Sequence, residues 1–260
     1  MYEVDATMAD DEFFDMWNAA GQFLQSCAKE VTLRWLRADP LPPYLEHMSF
    51  TIGNQIFHIR VEDVEQEVQG PGSLDGFRRL TDNTGGVPCV LWMEREDDQW
   101  LPVDAGWGLR NAFDNEVVNP VELVTDKDIE ITDWEVHDLG VGIAKQYLEE
   151  RGIKVTERIW WDPEITPALW FEGEESLEWV IVDATRYPND PPPVDEDRLQ
   201  RHIESFGEMG RPHGHHIGVA VASMEEQFDP ENYPVSPIYR GHGVYPKVVM
   251  SKSLTERFAH

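Results

Sequence analysis

The sequence predicts an α+β protein, and three features support this prediction. Two segments, 9–38 and 133–152, repeat apolar residues at three- and four-residue steps, as amphipathic helices do. Shorter apolar runs bounded by turn residues, such as 47–64, are typical of strands. Because 41% of the 260 residues are hydrophobic, the chain has enough apolar surface for a packed core.

The N-terminal half, residues 1–128, is predicted to be a helix followed by an antiparallel sheet. The helix spans 9–38 and should end at 39-DPLPPY-44, because proline cannot continue a helix. The glycine-bearing segment 69–80 is interpreted as a loop. Two antiparallel strand pairs are expected in this half, a hairpin at 47–64 turned at Gly53-Asn54, and 87–97 with 99–104.

The C-terminal half, residues 129–260, is predicted to contain a core in the order helix–strand–strand–strand–helix–strand. The elements are expected at helix 133–152, strands 153–161, 165–172 and 179–187, helix 197–209 and strand 216–224. The proline-rich linker 188–197 cannot form regular structure. A β-rich tail follows, with strands near 238–239 and 245–250.

This order of elements over residues 133–224 resembles the core of the restriction-endonuclease-like, PD-(D/E)xK superfamily. The resemblance implies a nuclease-like core in which carboxylates hold Mg²⁺ or Mn²⁺. The candidate carboxylates are Glu135 on the first helix, Asp162 and Glu164 before the second strand, and Asp183 on the third. The motif is incomplete, since Pro167-Ala168 stands where Pro-Asp is expected and Thr185 where the lysine is expected. The resemblance therefore implies a nuclease scaffold with a degenerate site.

Each of these carboxylates also has a structural explanation. Thr132 and Glu135 have the spacing of a capping box at the start of a helix. Asp183 shares one strand face with apolar residues and would then need a partner, such as a nearby arginine. Asp162 and Glu164 flank Pro163, which is ordinary chemistry for a turn.

A second candidate site is the histidine-rich segment 211-RPHGHHIG-218. His213 and His215 would lie on one face of an extended chain, and with His242 they could bind Zn²⁺. These histidines could instead be solvated, or His213 or His215 could act as a general base beside Arg211. The sequence contains neither a P-loop nor a nucleophile-elbow motif.

The formal net charge of −29 is spread over both halves, with −17 in residues 1–130 and −12 in 131–260. Such a charge repels phosphate backbones, so it disfavours nucleic acid as the partner. Three interpretations stay open: adaptation to a salty habitat, recognition of a basic partner, or mimicry of DNA. The chain has no apolar run of about 20 residues and no signal-peptide pattern, so we expect a cytoplasmic protein that does not cross a membrane.

Our first hypothesis is a non-catalytic, acidic interaction protein that recognises a basic protein partner, as an immunity, regulatory or defence-system component would. No cofactor is expected in that case. The alternatives are a metal-dependent nuclease or phosphodiesterase using Mg²⁺ or Mn²⁺, and a histidine-based protein binding Zn²⁺. A complex held by this charge should weaken as ionic strength rises, which distinguishes the first hypothesis from the others.

Overall fold

The computed structural model describes residues 10–38, 47–158, 167–173, 177–197, 199–200, 213–224, 229, 231–232 and 234–254. The chain divides into two compact units, Met1–Ile129 and Glu130–His260. Helices and mixed sheets occur together, which confirms the predicted α+β class. Within the described ranges, no helix is both long enough and apolar enough to cross a membrane.

The N-terminal unit packs helix α1 (Asp11–Cys27) against one face of a six-stranded sheet. The sheet follows the order β1-β2-β3-β4-β5, and β6 pairs with β4. Its strands are β1 (Leu33–Arg37), β2 (Met48–Ile52), β3 (Gln55–Asp63), β4 (Val87–Glu96), β5 (Gln99–Pro102) and β6 (Leu109–Asn111). Helix α1 begins where the Asp10 side chain accepts the N–H of Phe13 at 2.8 Å. Its apolar side then buries residues such as Trp17 against the sheet.

Two expectations about the helices of this unit are wrong. The predicted helix 9–38 ends at Cys27, and Leu33–Arg37 forms β1 because alternating Leu33 and Trp35 pair with β2. The segment expected as a loop contains the start of a second helix, α2 (Leu74–Thr84), which the Ser73 side chain caps.

The pairing of β3 with β4 also differs from the prediction. These strands run parallel, whereas antiparallel strands were expected throughout this half. The reason is α2, which lies between them in sequence and supplies the crossover that parallel neighbours need. The β2–β3 hairpin is confirmed, with Gly53 at a φ of 57° in its turn, and so is the antiparallel pair of β4 and β5.

The C-terminal unit packs helix α3 (Asp133–Glu149) on a five-stranded sheet of order β11-β10-β9-β8-β7. Its strands are β7 (Val155–Arg158), β8 (Leu169–Glu172), β9 (Leu177–Arg186), β10 (Gly214–Ser223) and β11 (Val244–Ser253). Strand β10 is parallel to β9, and the other neighbours are antiparallel. These elements confirm the predicted helix 133–152 and the strands predicted at 153–161, 165–172, 179–187, 216–224 and 245–250 within the described residues. The strand expected near 238–239 is instead an isolated β-bridge between Tyr239 and Glu130. The predicted helix 197–209 falls largely outside the described residues.

The two faces of this second sheet carry different side chains. The helix face, which packs against α3, includes Val180 and Val182 of β9 and Ile217 of β10. On this face α3 approaches so closely that a Cβ at Gly140 would overlap the Cβ of Ala184. The far face carries the alternate residues of the same strands, including the buried Trp179 and Ile181.

Candidate functional site

Glu135, the first candidate nuclease carboxylate, belongs to a buried structural network. The predicted capping box is confirmed, because Glu135 accepts the Thr132 N–H at 2.8 Å and its own N–H donates to the Thr132 hydroxyl. Arg240 then binds both carboxylate oxygens, through Nε and Nη2 at 2.9 Å each. Only 13% of the Glu135 side chain and 5% of the Arg240 side chain are exposed. Both oxygens of Glu135 are therefore committed to holding the tail on α3.

A second arginine fastens the same end of α3. Arg186, from the end of β9, donates to the carboxylate of Asp133 and to the backbone oxygen of Ile131. Its Nε also lies 3.6 Å from Glu130. The acidic residues around the start of α3 are thus paired with arginine, so this group is a structural anchor.

Asp183 pairs with a residue that the sequence analysis did not name. Its Oδ2 lies 2.8 Å from Nε2 of His216, which is buried on β10. The neighbouring glycines mark how tightly this region of the far face is packed. A Cβ at Gly214 would overlap the Trp179 ring, and one at Gly218 would lie 2.9 Å from Pro191 Cγ. The strand alternation of GHHIG, which puts His216 on the same face as Asp183, was the available signal.

The structure does not bring Glu135 and Asp183 together. Glu135 starts the helix on one face of the sheet, whereas Asp183 points to the far face with His216. The other two candidates, Asp162 and Glu164, lie outside the described residues.

The three candidate zinc ligands, His213, His215 and His242, are not grouped, and His215 and His242 contact different residues. His215 pairs with Glu178 at 2.5 Å, and His242 packs edge-on against Tyr239, 5.7 Å between ring centroids. His213 is exposed just before β10. In the part of the chain that the structure describes, no three His, Cys, Asp or Glu side chains are grouped so that they could hold a metal ion.

A buried polar cluster lies beside α2 in the N-terminal unit. The Thr84 hydroxyl donates to the Leu80 oxygen at 2.9 Å, so it accepts from Nε2 of His58 at 2.8 Å. Nδ1 of His58 lies 2.9 Å from the Ser49 hydroxyl, so both ring nitrogens of this core histidine are hydrogen-bonded. Burial lowers the pKa of neighbouring His47 well below its usual value, and the adjacent His58, Arg37 and Arg60 lower it further.

A cavity of about 370 Å³ lies in the N-terminal unit and is here called the acidic cleft. Three chain segments line it: the first turn of α1, the turn after β3, and the hairpin between β4 and β5. Its lining residues are Glu12, Asp63, Glu65, Glu67, Val68, Arg95, Asp97, Asp98 and Trp100. Six carboxylates and one guanidinium give the lining a formal charge of −5.

Asp63 stabilises one wall of the acidic cleft, and its carboxylate is already engaged by backbone N–H groups. Its buried carboxylate accepts three backbone N–H groups, from Glu65 at 3.0 Å, Glu67 at 2.9 Å and Val68 at 3.0 Å. These bonds fix the turn after β3 and leave the side chains of Glu65 and Glu67 exposed. The opposite wall is the β4–β5 turn, where Asp97 and Asp98 have φ of 46° and 64°.

The contacts of Arg95 show that the acidic cleft accommodates a guanidinium group. Its guanidinium lies between two carboxylates, pairing with Glu12 and, at 3.3 Å, with Asp98. The Trp100 ring adds an aromatic surface, which attracts a cation over its face and covers the apolar stem of a lysine or arginine. The arrangement is suited to the head group of a basic side chain.

The fold is α+β, and its N-terminal unit carries an acidic cleft. A family model for a domain of unknown function, DUF8840, matches residues 134–250, from α3 into β11. The match covers less than half of the chain and lies within the C-terminal unit. No curated protein and no solved structure matches the chain.

Proposed function

We propose that this protein is a non-catalytic interaction protein of the cytoplasm whose acidic cleft recognises a basic protein partner. The observation behind the proposal is the convergence of six carboxylates from three segments on one cavity of about 370 Å³. The net charge of −29 would attract a basic partner from a distance and speed its encounter. The acidic cleft would then position individual lysine or arginine head groups.

The contacts of the candidate nuclease carboxylates support a non-catalytic role. Both oxygens of Glu135 are engaged by Arg240 and by the capping box. Asp183 is engaged by His216 on the far face of the sheet. A metal-dependent nuclease needs such carboxylates free and close together, because they must share one or two cations.

Two variants of equal charge test whether the acidic cleft, and not only the overall charge, binds the partner. The cleft variant carries Glu65→Gln, Glu67→Gln and Asp98→Asn. The control variant carries Asp82→Asn, Glu116→Gln and Asp126→Asn, all exposed in the same unit. Both variants have a formal charge of −26, because each has lost three of the negative charges that give the natural chain −29.

The probe is a nona-lysine peptide, and its Kd is measured by calorimetry at low ionic strength. An exposed ion pair contributes roughly 0.5 kcal/mol, so losing three should weaken binding about tenfold in the cleft variant. The control variant should bind within about twofold of the natural protein, because its lost charges act only through the screened long-range field. Equal losses in the two variants, or a Kd that does not rise with salt, would contradict the proposal.

A further inference from the structure

Two exposed tyrosines flank an alanine at one end of the C-terminal sheet. Ala222 of β10 lies directly opposite Tyr245 of β11, so both side chains are on the same face. Tyr187 follows β9, and its N–H donates to the Val221 oxygen at 2.8 Å, which places it beside Ala222. Tyr187 is 47% exposed and Tyr245 is 64% exposed. We call Tyr187, Ala222 and Tyr245 the tyrosine slot.

The spacing of the strands determines what the tyrosine slot accommodates. Neighbouring strands are about 4.8 Å apart, so Tyr187 and Tyr245 stand about 10 Å apart across β10. Between them the floor is Ala222, with Ala220 next along the same face. Stacked planar groups contact at about 3.5–4 Å. One flat group therefore fits between two rings about 10 Å apart, in contact with one ring and within about 6 Å of the other, the range of a cation–π interaction.

A third apolar side chain borders the tyrosine slot. Met224 is 65% exposed, and its Cβ lies 3.3 Å from where a Cβ on Gly243 would stand. Gly243 and Tyr245 are two residues apart on an extended segment, so Met224 lies on the same face as Tyr245. Exposed tyrosine and methionine side chains grouped in this way are typical of binding surfaces, where both residue types are enriched.

We infer that the tyrosine slot binds an arginine side chain of a basic partner. A guanidinium is flat and cationic, so it stacks on tyrosine rings and is also attracted by them. The charge of the chain favours this occupant, since the formal net charge is −29 and the exposed Asp190 follows Tyr187 by three residues. Lys247 lies opposite Ala220, farther from the strand ends, so the cation would enter from the end bordered by Met224. The inference rests on the proposed function, because it assumes a basic partner.

A flat nucleobase would fit the same spacing, but the charge disfavours it. Nucleobases arrive with phosphates, and a chain of charge −29 repels a polyanion at long range. An arginine-rich protein segment is attracted by the same field. The guanidinium is therefore the occupant that the charge and the geometry favour together.

The test compares nona-arginine with nona-lysine, two peptides of equal charge. The natural protein should bind nona-arginine about fivefold more tightly, because lysine lacks the flat group that the rings stack on. Tyr245→Ala removes one wall, and Ala222→Leu fills the floor without removing a ring. Both variants should lose the preference for arginine and keep the affinity for nona-lysine. Val249→Ala, which changes another exposed residue of β11, should keep the preference.

The outcomes separate this inference from the proposed function. If the cleft variant weakens both peptides but neither slot variant changes the arginine preference, the slot inference is overturned and the proposed function stands. If the cleft variant binds both peptides as well as its charge-matched control does, the proposed function fails. A thymidine oligonucleotide that binds the natural protein but not Tyr245→Ala would identify a nucleobase as the occupant and would also overturn the inference.

Discussion

Replacing Arg240 should destabilise the C-terminal unit far more than its place in an irregular tail would indicate. In Arg240→Met the carboxylate of Glu135 stays 13% exposed and loses its two contacts at 2.9 Å. Breaking a buried ion pair in this way costs about 3–5 kcal/mol, because an uncompensated charge remains inside the protein. We expect the lower end, about 3 kcal/mol, since Glu135 keeps its bond from the Thr132 N–H.

A double-mutant cycle in urea measures this interaction. The cycle comprises Arg240→Met, Glu135→Gln and the double variant, each compared with the natural protein by its free energy of unfolding. The double variant should be at least 2 kcal/mol more stable than the sum of the single losses predicts, because no charge is then left unpaired. Arg151→Met, which changes an exposed arginine of the same unit, should cost less than about 1 kcal/mol. A coupling below about 0.5 kcal/mol would refute the reasoning.

Two further predictions concern the cores. The folded state holds the pKa of His47 well below its usual value, so only the unfolded chain takes up this proton as the pH falls below about 6.5. The free energy of unfolding should therefore drop by up to about 1.4 kcal/mol per pH unit between pH 6.5 and 5. His47→Gln should lack this part of the slope and exposed His213→Gln should keep it, as urea unfolding across that pH range will show. Gly140→Ala should cost about 1–3 kcal/mol through overlap with Ala184, although alanine is the better helix former, and Ala184→Gly should restore most of the loss in thermal unfolding.

The sequence predicted those elements whose signals are local. The Thr132 capping box and the Gly53 turn each depend on a few consecutive residues, and both are confirmed. The segment 31–38 was assigned to a helix because Leu33 continues the three- and four-residue spacing. Pairing with β2 decides its structure instead, and that partner is not visible in local periodicity. Helix α2 was not predicted because the glycines of 69–80 indicated a loop, whereas Ser73 caps a helix that begins at Leu74.

The candidate sites were harder to predict, because each depends on contacts between distant segments. Asp183 was recognised as a carboxylate in need of a partner, but His216 lies 33 residues away and reaches it only through the parallel pairing of β9 and β10. Glu12 and Arg95 of the acidic cleft are 83 residues apart in the sequence and meet only in the fold. The sequence shows that Asp and Glu residues are abundant, with 50 in the chain. Only the fold shows which of them converge.

The same limit applies to the segment 237–246, which mixes aromatic, arginine, histidine and glycine residues. Arg240 crosses to Glu135, 105 residues earlier in the chain, and Tyr239 forms a β-bridge with Glu130. The segment is therefore partly a structural anchor for α3. Tyr245 of the same segment is exposed and lies opposite Ala222 on β10.

The central claim is that basic groups bind at the acidic cleft, and carbodiimide cross-linking tests it most directly. This reagent joins a lysine amine to a carboxylate only where the two are in contact, so nona-lysine reports the side chains it touches. After digestion and mass spectrometry, we expect cross-links concentrated on Glu65, Glu67, Asp97 and Asp98 well beyond their share of exposed carboxylates, and lost when salt is added. Cross-links spread over Asp82, Glu116 and Asp126 in proportion to exposure would show that the charge acts as a whole and would contradict the account.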